Sequence, residues 1–94
     1  MRVEYTLDVL KPHNPSSSIL ARTLMMLPGA ETVKIKVDEI DQKTTSIYVK
    51  ITGTDALTIE EIEKKLEEMN CSLHSVDEVI FSKNTNEELE KMRF

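Results

Sequence analysis

Hydrophobic and polar residues alternate in four segments of the chain, and each alternation predicts a β-strand with one buried face. The first strand is predicted over residues 2–10 and ends at residues 11–15, because the two prolines there cannot donate ladder hydrogen bonds. The other strands are predicted over residues 31–41, 45–53 and 71–82. In the last strand the alternation is disturbed around residues 75–78, which indicates a bulge or an edge strand.

Two other segments repeat apolar residues every three to four positions, and this spacing predicts amphipathic helices. The first helix is predicted over residues 15–27, with Leu20, Leu24 and Leu27 on its buried face. Its start would be capped by Asn14 or by one of the serines at residues 16–18.

The second helix has the clearest start signal, because Thr58 and Glu61 have the spacing of a capping box. Its buried face is predicted to consist of Ile59, Ile62, Leu66 and Met69. A further capping box at residues 85–88 predicts a short helix in the C-terminal tail. The domain would therefore cover residues 1–83, with a helical tail over residues 84–94.

The order strand, helix, strand, strand, helix, strand is typical of a ferredoxin-like βαββαβ sandwich, which is an α+β fold. Right-handed crossover connections then predict a four-stranded antiparallel sheet in the order 4-1-3-2. Both helices would cover one face of this sheet and bury their apolar stripes against it.

Composition excludes several classes of function. The net charge of −5 over 94 residues argues against broad binding to nucleic acid, although Lys34, Lys36, Lys50 and Tyr48 would share the open sheet face. No apolar run is long enough to cross a membrane, and charged residues interrupt the apolar run of residues 1–14, so we expect that this segment is not a signal peptide. The single cysteine, Cys71, fits a reducing compartment, so we expect a cytoplasmic protein.

The predicted topology brings the end of the first strand and the start of the last to one edge of the sheet. Carboxylates gather there that could bind Ca²⁺ or Mg²⁺ through oxygen atoms: Asp8, Glu39, Asp41, Asp77 and Glu78. Three basic or imidazole side chains at the same edge could contact a small ligand: Lys11, His13 and His74. The spacing matches no known metal-binding loop, so the alternative is that Asp8 and Asp77 pair with Lys11 or with a neighbouring subunit.

Three motifs in these segments resemble those of the domain-of-unknown-function family 211, a set of small, mostly archaeal proteins. The motifs are residues 8–15, 39–41 and 74–79, and the likeness extends over about residues 2–82. The resemblance implies a ferredoxin-like fold and assembly into homo-oligomers, and it implies no particular reaction.

These observations favour a small homo-oligomeric binding or regulatory module over an enzyme. The chain has no glycine-rich phosphate loop and no nucleophile elbow, and Cys71 follows a helix C-terminus, where the helix dipole disfavours a thiolate. Two alternatives remain open. One is an enzyme whose active site forms at subunit interfaces, with His13 and His74 as acid–base groups, and the other is a purely structural interaction protein.

Overall fold

Strands and helices follow one another in the predicted βαββαβ order. The computed structural model describes residues 1–83, and the predicted tail helix lies outside the described residues. The six elements are β1 (Arg2–Pro12), α1 (Ser17–Met25), β2 (Ala30–Ile40), β3 (Thr44–Thr54), α2 (Ile59–Glu68) and β4 (Ser72–Ser82).

The four strands form one antiparallel sheet in the order β2-β3-β1-β4, which confirms the predicted order read from the other side. β1 lies in the centre, where Tyr5 pairs with Ile51 of β3 and with Val79 of β4. β2 and β4 are the two outer strands of the sheet that residues 1–83 form.

The hydrophobic core lies between the sheet and the two helices. Leu20 and Leu24 of α1 and Ile62 and Leu66 of α2 are completely buried, as the helical spacing predicted. The sheet contributes alternate residues from its two central strands: Val3, Tyr5, Leu7, Val9, Ile47, Val49 and Ile51. Complete burial of one apolar side chain of this size stabilises the fold by about 1.5–3 kcal/mol.

Local capping defines where the helices begin. The Ser16 hydroxyl accepts a hydrogen bond from the Ile19 amide, so Ser16 is the cap among the candidates considered for α1. The Thr58 hydroxyl accepts from the Glu61 amide at the start of α2, in the arrangement that the capping box predicted. After α2 the chain turns at Asn70, whose φ of 63° is the left-handed conformation that asparagine tolerates.

The first strand is longer than its sequence pattern predicted. β1 continues through Lys11 to Pro12, which pairs with Thr44 at the start of β3. Proline is accommodated because it is the last residue of the strand, where no further ladder hydrogen bond is needed. Lys11 continues the alternation inward and is only 4% exposed.

The outer strands leave apolar side chains exposed on the helix-covered face. On β4 these are Val76, Val79 and Phe81, and on β2 they are Val37 and Ile40. None of the helices in the described part of the chain is long and apolar enough to span a membrane.

Candidate functional site

Several strands begin or end at the same end of the sheet, as the topology predicted. Leu10 lies opposite Ser72 of β4, and Pro12 lies opposite Thr44 of β3. The predicted site residues at this edge are nevertheless divided between the two faces of the sheet and the connecting loops. They therefore form separate groups.

The first group lies on the outer face of the sheet, opposite the helices. Asp8 occupies the central strand, between Tyr48 of β3 and Ser75 of β4. Its carboxylate Oδ2 is 3.7 Å from Nδ1 of His74, whose side chain is 76% exposed. Asp8 itself is 31% exposed, so the carboxylate is accessible to a ligand from solvent.

Three carboxylates on the outer face act electrostatically on the phenol of Tyr48. Asp38, Asp8 and Asp77 raise the pKa of Tyr48 above its usual value of 10.0, with Asp38 contributing most and burial adding to the effect. The physical cause is repulsion, because negative carboxylates oppose a second negative charge on the phenolate. We call Asp8, Asp38 and Asp77 the acidic patch.

Irregularities in the strand pairing place three of these side chains. The register of β4 against β1 shifts between Asp8 and Val9 and again between Thr6 and Leu7, leaving His74 and Asp77 as extra residues. The register of β2 against β3 shifts in the same way around Asp38. An extra residue in a strand redirects its side chain, and such β-bulges are frequent beside functional sites.

Asp77 is further oriented by its neighbour on β4. The Ser75 hydroxyl donates a hydrogen bond to Oδ1 of Asp77 at 2.6 Å. Because this bond occupies one carboxylate oxygen, Oδ2 keeps its capacity to accept from a ligand.

The second group lies on the opposite face and organises the loop after β1. The ammonium group of Lys11 donates hydrogen bonds to the carbonyl oxygens of Pro12 at 2.9 Å, Pro15 at 2.8 Å and His13 at 3.4 Å. Its three donors are thus committed to the backbone. Lys11 points into the domain and away from the acidic patch.

His13 and Asp41 connect two loops at this edge. Nε2 of His13 lies 2.9 Å from the backbone carbonyl oxygen of Asp41, and the Asp41 amide donates to the carbonyl oxygen of Thr44 at 2.8 Å. The two histidines therefore have different partners, since His74 lies beside Asp8.

The remaining predicted carboxylates stand apart from these contacts. Glu39 is exposed opposite Ser46, and the half-buried Glu78 pairs with Thr6. Within residues 1–83, no three side chains among the Asp, Glu, His and Cys residues are arranged so that they could hold a metal ion together. Any cation on the acidic patch of a single chain would therefore keep much of its water shell.

Sequence reasoning missed two members of the outer-face group as site residues, Tyr48 and Asp38. The signal for Tyr48 was available, because pairing β1 with β3 puts it beside Asp8 once the register is known. Asp38 was hidden by the register shift in β2, which alternation alone does not show.

Cys71 has a packing role, as its position after α2 indicated. The thiol is 3% exposed and lies 3.7 Å from the carbonyl oxygen of Met69. Burial raises the pKa of the Cys71 thiol, which keeps it protonated and unreactive at neutral pH.

Comparison with known proteins agrees with this architecture. Residues 3–93 match the model of the domain-of-unknown-function family 211, whose description is "Uncharacterized ArCR". The chain is also 39% identical over 83 residues to an uncharacterised protein of Methanocaldococcus jannaschii, an alignment that covers 88% of this chain and 84% of the relative. The chain therefore belongs to the domain-of-unknown-function family 211.

Proposed function

We propose that this protein is a small homo-oligomeric binding module that holds a hydrated divalent cation, Ca²⁺ or Mg²⁺, at the acidic patch. The observation that carries the proposal is the position of Asp8, which lies opposite Tyr48 on one side and opposite Ser75, the hydrogen-bond donor to Asp77, on the other. The raised pKa of Tyr48 supports it, because Asp38, Asp8 and Asp77 oppose a negative charge on the phenolate even though Lys36 lies opposite Tyr48 on β2. A divalent cation would neutralise part of this negative charge.

Asp8 and Asp77 would be the direct ligands in this proposal. Mg²⁺ is commonly bound through one or two carboxylates while it keeps several waters, and Ca²⁺ accepts six to eight oxygen ligands in flexible arrangements. Asp38 would bind through water or balance charge, and the Ser75 hydroxyl would hold Asp77 in place. Glu39 or Asp41 of a neighbouring subunit, at the end of its β2, would complete the coordination.

Assembly is the second part of the proposal, and exposed apolar side chains support it. On the edge strand β4, Phe81 is 51% exposed and Val79 is 49% exposed. On the opposite edge strand, β2, Ile40 is 68% exposed. Exposed apolar side chains that lie close together often mark a protein–protein interface. A subunit interface would remove them from water.

The cation is tested by thermal unfolding of the full chain with Ca²⁺ or Mg²⁺, with and without a chelator. A cation at ten times its dissociation constant adds about 1.4 kcal/mol to the free energy of unfolding. For a domain of this size, that corresponds to a rise in Tm of about 5–10 °C.

Asp8→Asn should abolish most of this rise, because it removes the central carboxylate. Asp55→Asn is the matched control, since Asp55 is an exposed aspartate in the loop between β3 and α2, outside the acidic patch. Absence of a shift in the wild type, or equal shifts in Asp8→Asn and wild type, would contradict the cation site.

The ultraviolet absorbance of the Tyr48 phenol gives an independent readout. A bound cation should lower the pKa of Tyr48, because it offsets the carboxylates that raise it. The Tyr48→Phe variant isolates the contribution of Tyr5, the other tyrosine of the chain. An unchanged alkaline titration in saturating Ca²⁺ and Mg²⁺ would argue against binding at this patch.

A further inference from the structure

The two edge strands of the sheet complement each other on both faces. We infer that copies of this chain join head to tail, with β4 of one copy pairing antiparallel to β2 of the next, so that the sheet continues across subunits. This inference names the interface of the assembly proposed above and rests on that proposal.

Strand direction permits this pairing. β2 is antiparallel to β3, β3 to β1, and β1 to β4, so β2 and β4 run in opposite directions. A second copy placed beside β4 in the same orientation therefore presents its β2 antiparallel to β4. Among residues 1–83, β2 and β4 each have one side that no other strand pairs with, and the backbone donors and acceptors of an edge strand can pair with another chain.

The helix-covered faces match in shape when the sheet continues without slipping. Val79, Tyr5, Ile51 and Val33 form one row across the sheet, so the next copy's Val33 would lie beside Val79. By the same reasoning, the next copy's Ile35 would lie beside Val76, since both belong to the row of Leu7 and Val49.

A large side chain meets a small one in the neighbouring row. Phe81 pairs with Val3, Val3 with Gly53, and Gly53 with Ala30, which places the next copy's Ala30 beside the half-exposed ring of Phe81. Exposed apolar surface on one edge would therefore cover exposed or half-buried apolar surface on the other.

The outer faces match in charge. Glu78, Thr6, Lys50 and Lys34 form one row, so the next copy's Lys34 would lie beside Glu78. A symmetric pairing of two β2 strands about Ile35 would instead place Lys34 opposite Lys36, and a symmetric pairing of two β4 strands about Glu78 would place two carboxylates opposite each other. Like charges directly opposite each other destabilise strand pairs, so the head-to-tail arrangement is favoured over these two symmetric pairings.

A groove beside β4 provides a further contact. Its volume is about 340 Å³, and its apolar walls include Tyr5, Ile59, Val79 and Phe81. α1 packs on β2, so the next copy's α1 would lie beside this groove. The last turn of α1 ends at Met26, which is 83% exposed. Met26 lies near Ala30, at the same end of the sheet as Phe81.

The test measures the association of the full chain by analytical ultracentrifugation at a series of concentrations. Lys34→Glu and Glu78→Lys should each weaken association about fivefold, because each turns an attractive pair into a repulsive one. The double variant K34E/E78K should associate as the wild type does. So should an equal mixture of the two single variants, because only head-to-tail pairing brings position 34 of one copy to position 78 of another.

Val79→Lys and Met26→Lys should weaken association more strongly, since each places a charge in the apolar contact. Leu10→Lys is the matched control: Leu10 is also an exposed apolar residue, 41% exposed, but it lies on the central strand β1. Circular dichroism on each variant checks that the fold is retained, and recovery in the double variant provides the same check through association itself.

Three failures are distinguishable. A wild-type chain that remains monomeric would overturn the proposed assembly together with this interface. A wild-type oligomer that is unaffected by the Lys34, Glu78 and Val79 variants would overturn this interface alone. Dissociation of both single variants without recovery in the double variant or the mixture would overturn the head-to-tail arrangement.

Discussion

Nε2 of His13 lies 2.9 Å from the backbone carbonyl oxygen of Asp41, and this contact joins two loops that are 28 residues apart in the chain. A carbonyl oxygen accepts a hydrogen bond, so Nε2 must carry the proton in this contact. The connection after β1 is thereby fixed to the turn between β2 and β3, at the edge of the sheet where several strands end.

His13→Ala should therefore lower the free energy of unfolding by about 0.5–1.5 kcal/mol, the usual net contribution of one hydrogen bond. Urea unfolding of the two proteins under identical conditions measures the difference. His74→Ala is the matched control, since that imidazole is 76% exposed, and it should change stability by less than about 0.5 kcal/mol. Equal effects of the two substitutions would refute the role given to His13.

Lys11→Met should be more destabilising than the loss of an exposed lysine. Methionine retains the apolar length of the side chain but leaves three carbonyl oxygens without the donor that the ammonium supplies. The expected loss is about 1–3 kcal/mol, the cost of leaving buried polar groups unsatisfied. Lys64→Met, at an exposed position of α2, provides the control in the same urea experiment.

Gly53→Ala should disrupt the contact between β3 and the loop before β2. A methyl group at residue 53 would overlap the carbonyl oxygen of Gly29, which accepts a hydrogen bond from the Thr54 amide at 2.9 Å. The backbone would have to move, at a cost of about 2–3 kcal/mol. Thermal unfolding measures the effect, with Thr52→Ala on the same strand as the control. A Gly53→Ala variant as stable as Thr52→Ala would show that the loop adapts freely.

Asp38→Asn should lower the pKa of Tyr48, because Asp38 is the largest cause of its elevation. The alkaline absorbance titration of the phenol, with Tyr48→Phe to isolate Tyr5, measures this directly. Identical titration curves for Asp38→Asn and wild type would show that the carboxylate does not act on the phenol.

The same pKa shift predicts how stability depends on pH. A phenol whose pKa is raised in the folded state holds its proton more tightly there than in the unfolded chain. Its contribution to stability is complete below the unfolded pKa of about 10 and is lost as pH rises through the folded pKa. The free energy of unfolding should therefore decline above about pH 10, and this decline should be smaller in Tyr48→Phe.

Much of the fold could be predicted from the sequence because local and long-range signals agree. Alternation identified the four strands, and the spacing of Leu20, Leu24, Ile62 and Leu66 identified the buried faces of the helices. The right-handedness of crossover connections then limited the strand order to one arrangement. The irregular segment of β4 was also confirmed, both as an edge strand and as a site of register shifts.

The candidate site was less accessible to sequence reasoning because it depends on the direction of single side chains. Lys11 was predicted to lie beside the carboxylates, but alternation continues one residue further than the prolines indicated and turns it inward. Asp38 and Tyr48 became visible only with the register between strands. The number and sign of the charged residues indicated neither the inward direction of Lys11 nor the positions of Asp38 and Tyr48.

His74 and Asp77, the two extra residues of β4, change which positions of the strand face the helices. Leu73 faces the helices at an odd position, Val76 does so at an even one, and Val79 returns to odd numbering. At each bulge the extra residue is absorbed, so the residues on either side keep their partners on β1. Deletion of Asp77 alone would make Val76 and Glu78 consecutive, as their partners Leu7 and Thr6 are, so both ends of β4 would stay in register with β1. Loss of His74 as well would leave a regular strand with neither side chain in the vicinity of Asp8.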